Sequence, residues 1–243
     1  MNKKLLMIFG LIGILIPFKV KAITGSVNLS CASTTLKPEE TTSCTIKGNT
    51  NDEVSGVDIK LNLGDNLTLL NVKADPSWQG DGDDGNILLY VSENKKGEFL
   101  IATFTVKAGS IKEGANTNIT LNNVNLTASA EYGYASTEFS VKPLDIRISS
   151  TINTLSSLTI DGTSISGFDK NKTSYETTVA SDKSSVKISS TASDPKASIK
   201  GNGEVTLKYG VNNFSVVVTS ESGDKQTYNI KITRPDNRSK ENN

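Results

Sequence analysis

From Ile23 onward, apolar residues recur at every second position in short runs, and turn-forming residues close each run. Val57, Ile59, Leu61 and Leu63 alternate with Asp58, Lys60 and Asn62, and Leu100, Ala102, Phe104 and Val106 repeat the pattern. Ile119 and Leu121 follow it, as do Phe139 and Val141. A period of two sets one face of an extended strand against a core and the other in water, whereas a helix needs a period near 3.6. Between the runs lie KGNTND, QGDGDDGN, SENKKGE and KAGSIKEGANT, built from the residues that tight turns demand. Ile87 to Val91 differs, being a continuous apolar run that reads as a strand buried on both faces. About nine short strands at this spacing predict a β-sandwich rather than alternating βαβ units.

A second series follows PLDIRISSTINT: Leu158/Ile160, Val186/Ile188, Val205/Leu207, Phe214/Val216/Val218 and Tyr228/Ile230/Ile232. The expected fold is therefore all-β, two tandem sandwiches of roughly 100 residues each. Their expected spans are 23–148 and 155–234, with a linker at 149–154. The polar tail at 235–243 has nothing to bury and is expected to be disordered.

The first residues have another purpose. Lys3 and Lys4 precede the apolar stretch Leu5 to Phe18, and Val20 and Ala22 are small residues at the spacing a signal peptidase reads. Residues 1–22 are thus expected to be a secretory signal peptide cut after Ala22. The apolar stretch is shorter than the roughly 20 residues that span a bilayer, so no transmembrane segment is expected in the mature chain. The location implied is extracellular or at the cell surface. Of 26 basic and 26 acidic residues, cleavage removes four lysines and leaves a net charge of −4. A nucleic-acid partner would need a basic face, so none is expected. Cys31 and Cys44 are the only cysteines, and in an exported chain such a pair is expected to form a disulfide.

QGDGDDGN at 79–86 matches the letters of a dinucleotide-binding fingerprint. That motif requires a helix after its glycines, whose N-terminal amides meet the pyrophosphate. Here NILLYV, a strand, follows, and Asp81, Asp83 and Asp84 put negative charge where phosphates belong. The nucleotide reading is excluded. Two readings stay open: a calcium loop using Asp81, Asp83 and Asp84, since clustered carboxylates suit that ion, or a solvated loop between strands. An EF-hand register begun at Asp81 would put Ser92 where a bidentate Glu is needed. No cofactor is expected.

Catalysis has little to work with. The chain contains no histidine, which removes imidazole as general base and metal ligand. Bridged cysteines leave no thiol nucleophile. For sugar binding the usual device is a row of aromatic faces, and Trp78, with Tyr132 and Tyr134 at one strand parity, could form one. The competing reading packs Trp78 over one end of the sandwich.

Two resemblances sharpen these expectations. LSSLTIDG, GFDKNKTSY, YGVNNFSVVVTSESG and KQTYNIKITR occur in the order seen in the bacterial cadherin-like β-sandwich family. The matching positions are Leu155, Leu158, Phe168, Tyr175, Gly210, Asn212, Val216, Val218, Thr227, Tyr228, Ile230 and Arg234. This resemblance implies an extracellular Ig-like sandwich with no catalytic residues. Val54 to Ile59 followed by KLNLGDNLTLLNV, with FLIATFTVKAGSIKEGANTNITL later, resembles the cohesin-like jelly-roll sandwiches of the carbohydrate-binding superfamily. Together they imply a non-enzymatic binding or scaffolding protein with a protein or polysaccharide partner at the cell surface. The alternatives are a carbohydrate-binding module using Trp78, and a purely structural spacer.

Overall fold

The computed structural model describes residues 22–130 and 133–236. The expected signal peptide, Tyr132 and the tail from residue 237 onward lie outside the described residues, Ala22 apart. Among the described residues every regular element is a strand. The first sandwich uses β1 (Gly25–Cys31), β2 (Thr35–Leu36), β3 (Thr41–Leu63), β4 (Leu67–Ala74), β5 (Gln79–Asp83), β6 (Asn86–Ala108), β7 (Ala115–Ala130), β8 (Gly133–Phe139) and β9 (Leu144–Ile148).

Two of these strands, β3 and β6, are 23 residues long and pair with each other along most of their length. Each contributes to both layers. The first half of β3 pairs with β1, and its partner, the second half of β6, pairs with β4. The second half of β3 pairs with β7, while the first half of β6 pairs with β5. Strands β8 and β9 both pair with β7, and β2 runs parallel to β9. Register shifts between Thr50 and Gly56 make the crossing possible. Before them the inward residues of β3 are Thr42, Cys44 and Ile46; after them they are Val57, Ile59 and Leu61. An irregularity that changes strand parity lets one chain supply inward side chains to two facing sheets.

The run Ile87 to Val91 corrects the expectation of a doubly buried strand. Ile87 and Leu89 are 1% exposed, but Leu88 is 64% and Tyr90 57% exposed. In a two-layer sandwich each sheet has one covered face, and among the described residues nothing covers the other.

The second sandwich uses β10 (Leu155–Ile160), β11 (Thr163–Ser164), β12 (Ser174–Thr178), β13 (Ser185–Ala192), β14 (Ser198–Lys200), β15 (Gly203–Thr206), β16 (Gly210–Thr219) and β17 (Lys225–Arg234). Its sheets run β11-β10-β13-β15 and β12-β17-β16-β14, with β12 parallel to β17. The residues that carry the family resemblance here are structural. Leu155, Leu158, Tyr175, Val216, Val218, Tyr228 and Ile230 fill the core. Tyr228 Oη donates to Lys170 O (2.6 Å) and accepts from Leu155 N–H (3.0 Å). Tyr175 Oη donates to Asp169 O (2.6 Å) beneath the stacked ring of Phe168. Arg234 donates to the carbonyls of Ser181 and Leu207, and Asn212 holds the turn at Lys208.

Candidate functional site

The stretch QGDGDDGN folds as a β-hairpin. Gln79 to Asp83 form β5, Asn86 opens β6, and Asp83 pairs with Asn86 across the turn. Asp84 (φ 47°) and Gly85 (φ 80°) both lie in the left-handed region, as a two-residue type I′ turn requires, and Asp-Gly is a preferred pair for it. Gly85 is needed here for space as well, because a Cβ would come within 2.7 Å of Leu61 O. Asp81 Oδ1 accepts from Gly82 N–H (2.9 Å). Among the described residues no group of three acidic or cysteine side chains is placed to hold a metal ion.

Just before the hairpin, the segment Asp75-Pro76-Ser77 aims Trp78 inward. Ser77 donates through both its hydroxyl and its amide to Asp75 Oδ1, and these two bonds, hydroxyl first, hold the Asp75 carboxyl below its ordinary range. Trp78 N–H donates to Asp75 O (2.9 Å), closing the turn. The indole is 6% exposed, tilts against Phe99 at 5.8 Å, and donates Nε1–H to Leu100 O (2.8 Å). Trp78 therefore packs in the core, and neither ring face is free to stack on a sugar. The backbone of Tyr134 pairs with Ser129 in the β7–β8 ladder. The disulfide joins Cys31 to Cys44, which sit directly opposite in the β1–β3 ladder.

The most distinctive surface is the uncovered face beside that hairpin. Cross-strand register aligns Asp81, Leu88, Asp58, Asn125 and Glu138 in one row over five strands. The next row is Gln79, Tyr90, Gly56, Thr127 and Ser136, by the same pairings. Residues directly opposite in a ladder share a face, so each row is a line of neighbouring side chains. Leu88 and Tyr90 stand side by side at i and i+2 on β6, with the side-chain-free Gly56 opposite Tyr90. A shallow groove runs between Gly56, Asp58, Leu88, Tyr90, Asn94 and Thr127. Asp58, Asp81 and Glu138 are all exposed along the Leu88 row, and Lys60 is exposed in the row beside it. Exposed large apolar side chains grouped on a flat sheet, rimmed by polar residues, are the features of an association surface.

Sequence reasoning did not single out Leu88 and Tyr90. Their signal was available in part, because Asp58 and Lys60 on the neighbouring strand already marked an outward face. Only the register says that this face is also theirs.

The fold thus defines a two-module, all-β protein whose modules have separate hydrophobic cores. Residues 155–235 match the family model described as a cadherin-like beta sandwich domain. Among solved structures, the seventh ScaB type I cohesin from Pseudobacteroides cellulosolvens aligns at 16% identity and a TM-score of 0.42, covering 52% of this chain and 94% of that one. A non-cellulosomal cohesin from Archaeoglobus fulgidus aligns at 14% identity and 0.40, covering 51% and 92% respectively. A cohesin module of a family 33 glycoside hydrolase from Clostridium perfringens aligns at 9% identity and 0.42, covering 52% and 98%. The comparison with curated proteins returned no match.

Proposed function

We propose that this chain is an exported, non-enzymatic binding component of a cell surface. Its first sandwich engages a protein partner through the β5–β6–β3–β7–β8 face, and its second sandwich serves as a stalk. The observation that carries the reading is the pair Leu88 and Tyr90, 64% and 57% exposed side by side on the outward face of β6. Burying two such side chains contributes a few kcal/mol at roughly 25 cal/mol per Å² of apolar surface, and buried aromatics are frequent interface anchors. The three carboxylates of the Leu88 row favour a partner with basic residues opposite them.

Three further features support parts of this reading. A disulfide favours an oxidising compartment. Ala22 is exposed, whereas Ile23 is buried and donates its N–H to Thr137 Oγ1 (2.9 Å). A cut after Ala22 would leave the first buried residue of the fold in place. In the second module, the side chains that carry the family resemblance hold the core or tie down backbone, as a stalk requires.

The test is direct binding with the mature chain and two variants, Leu88→Asp and Tyr90→Ala. Because the first module resembles cohesins, a dockerin-type module is the first probe, and a glycan array runs in parallel. The wild type should bind the protein probe, with each variant at least about tenfold weaker, roughly 1.4 kcal/mol, and melting within a few degrees of it. Equal binding by both variants would remove this face from the site. Capture on glycans that survives both substitutions would move the function to another surface.

A further inference from the structure

The segment expected to be a linker does not behave as one along its first residues. Ser149 and Ser150 are 4% and 0% exposed. Successive odd positions from the end of β9 into the segment are bonded to the first module: Arg147 N–H to Thr34 O (2.8 Å), Ser149 N–H to Leu36 O (2.8 Å) and Thr151 N–H to Lys112 O (2.9 Å). The residue between the last two faces the other way. Ser150 O accepts from Ser222 N–H (3.0 Å), and Ser150 N–H donates to Glu221 Oε2 (2.9 Å). One short extended segment is thus held by both modules at once.

A side-chain clasp closes over it. Arg147, on the last strand of the first module, donates Nε–H to Glu221 Oε1 (2.8 Å) and Nη2–H to Glu221 Oε2 (2.7 Å). Glu221 lies between β16 and β17 of the second module. The guanidinium is aimed by a further bond, Nη1–H to Asn116 Oδ1 (2.8 Å), from β7. Lys196 Nζ stands 3.9 Å from Glu221 Oε1. The two side chains of the clasp are only 25% and 24% exposed. A two-pronged guanidinium–carboxylate pair fixes direction as well as distance. Gly114 completes the joint: with φ at 74°, it lets the β6–β7 loop approach Ile148 and Ser150, where a Cβ would fall within 2.9 Å of Ser150 N.

Domains joined by a short linker move relative to each other by default unless the contact is extensive. Here a small contact is replaced by a directional one. We infer that the two sandwiches form a single rigid unit, with the Arg147–Glu221 clasp on Ser150 as its orienting device. The clasp fixes how the second module holds the face around Leu88 and Tyr90. That last consequence rests on the proposed function; the rigidity does not.

The experiment is nuclear magnetic resonance of the full mature chain in a weakly aligning medium, with residual dipolar couplings fitted separately for each sandwich. The wild type should give one alignment tensor for both modules. Glu221→Ala and Arg147→Ala should each give two tensors of different magnitude, with the amide shifts of both cores unchanged. The double variant should add nothing to either single one. Two tensors in the wild type would overturn the inference without recourse to any variant. One shared tensor in both single variants would also overturn it, by showing that the clasp orients nothing. Neither result depends on whether a partner binds at Leu88 and Tyr90, so the two proposals fail separately.

Discussion

Replacing Tyr228 by Phe removes one oxygen from the second module and nothing else. Tyr228 is 0% exposed, and burial raises the pKa of its phenol, so it stays a protonated donor throughout the pH range of ordinary use. The oxygen does two things at once: it donates to Lys170 O and accepts the N–H of Leu155, the first residue of β10. Phe keeps the ring packing but strands a buried amide, at a cost of about 1–3 kcal/mol, and forfeits a second bond worth about 1 kcal/mol. The expected loss is therefore about 2–4 kcal/mol. For a module of fewer than 100 residues that amounts to a fall of roughly 10–30 °C in Tm. Chemical denaturation followed by circular dichroism measures it. Trp78, the only tryptophan, lies in the first sandwich, so its fluorescence serves as an internal control that should move far less. Tyr90→Phe, at a 57% exposed position, should change stability by no more than about 0.5 kcal/mol. A loss below about 1 kcal/mol for Tyr228→Phe, the least a stranded amide should cost, would refute the claim that this hydroxyl pins the module's entry strand.

Reducing the Cys31–Cys44 bridge, which closes a loop with a sequence separation of 13, should destabilise the first sandwich by about 3 kcal/mol in the chain-entropy account. A Trp78-monitored unfolding midpoint that stays put while two free thiols titrate would contradict it. The pH response of the joint is set by Glu221. The Arg147 guanidinium lowers its carboxyl from the ordinary 4.5 to about 2, with the Ser150 amide adding to the effect against opposing desolvation. A carboxylate whose folded pKa is depressed contributes stability above its unfolded pKa and loses it as the pH falls through the folded one. The shared orientation should therefore persist at pH 5 and fade between about pH 4.5 and 2. A Glu221 carboxyl that titrates near 4.5 in the folded chain would contradict the clasp.

Much of this architecture was readable from period and punctuation alone. Val57, Ile59 and Leu61 alternate because one face of β3 is covered. The letters Asp84-Gly85 demanded a turn with positive φ. Beyond period, the cadherin-like resemblance marked Leu155, Tyr175 and Tyr228, residues now seen in one core. Trp78 illustrates where local reading stops. Its neighbours are turn residues, yet the turn at Asp75 rotates the indole into the sandwich and onto Phe99. The run Ile87 to Val91 shows the converse. Five apolar letters look the same whether one face of the strand is covered or two, and Leu88 and Tyr90 proved to lie on the uncovered one.

Apart from KGNTND and SENKKGE, which read as turns but lie inside the continuous strands β3 and β6, the sequence by itself determined the all-β class, the Asp84-Gly85 turn and many core residues. It could do so because strand periodicity and turn chemistry act over a few neighbouring residues. Only the tertiary structure decided which outward residues stand together on one face, since Asp58, Leu88 and Asn125 meet through the register of three strands. It likewise decided that Arg147 and Glu221, 74 residues apart, close on one another. Such pairings depend on where whole strands come to lie, and the residues themselves carry no local mark of it.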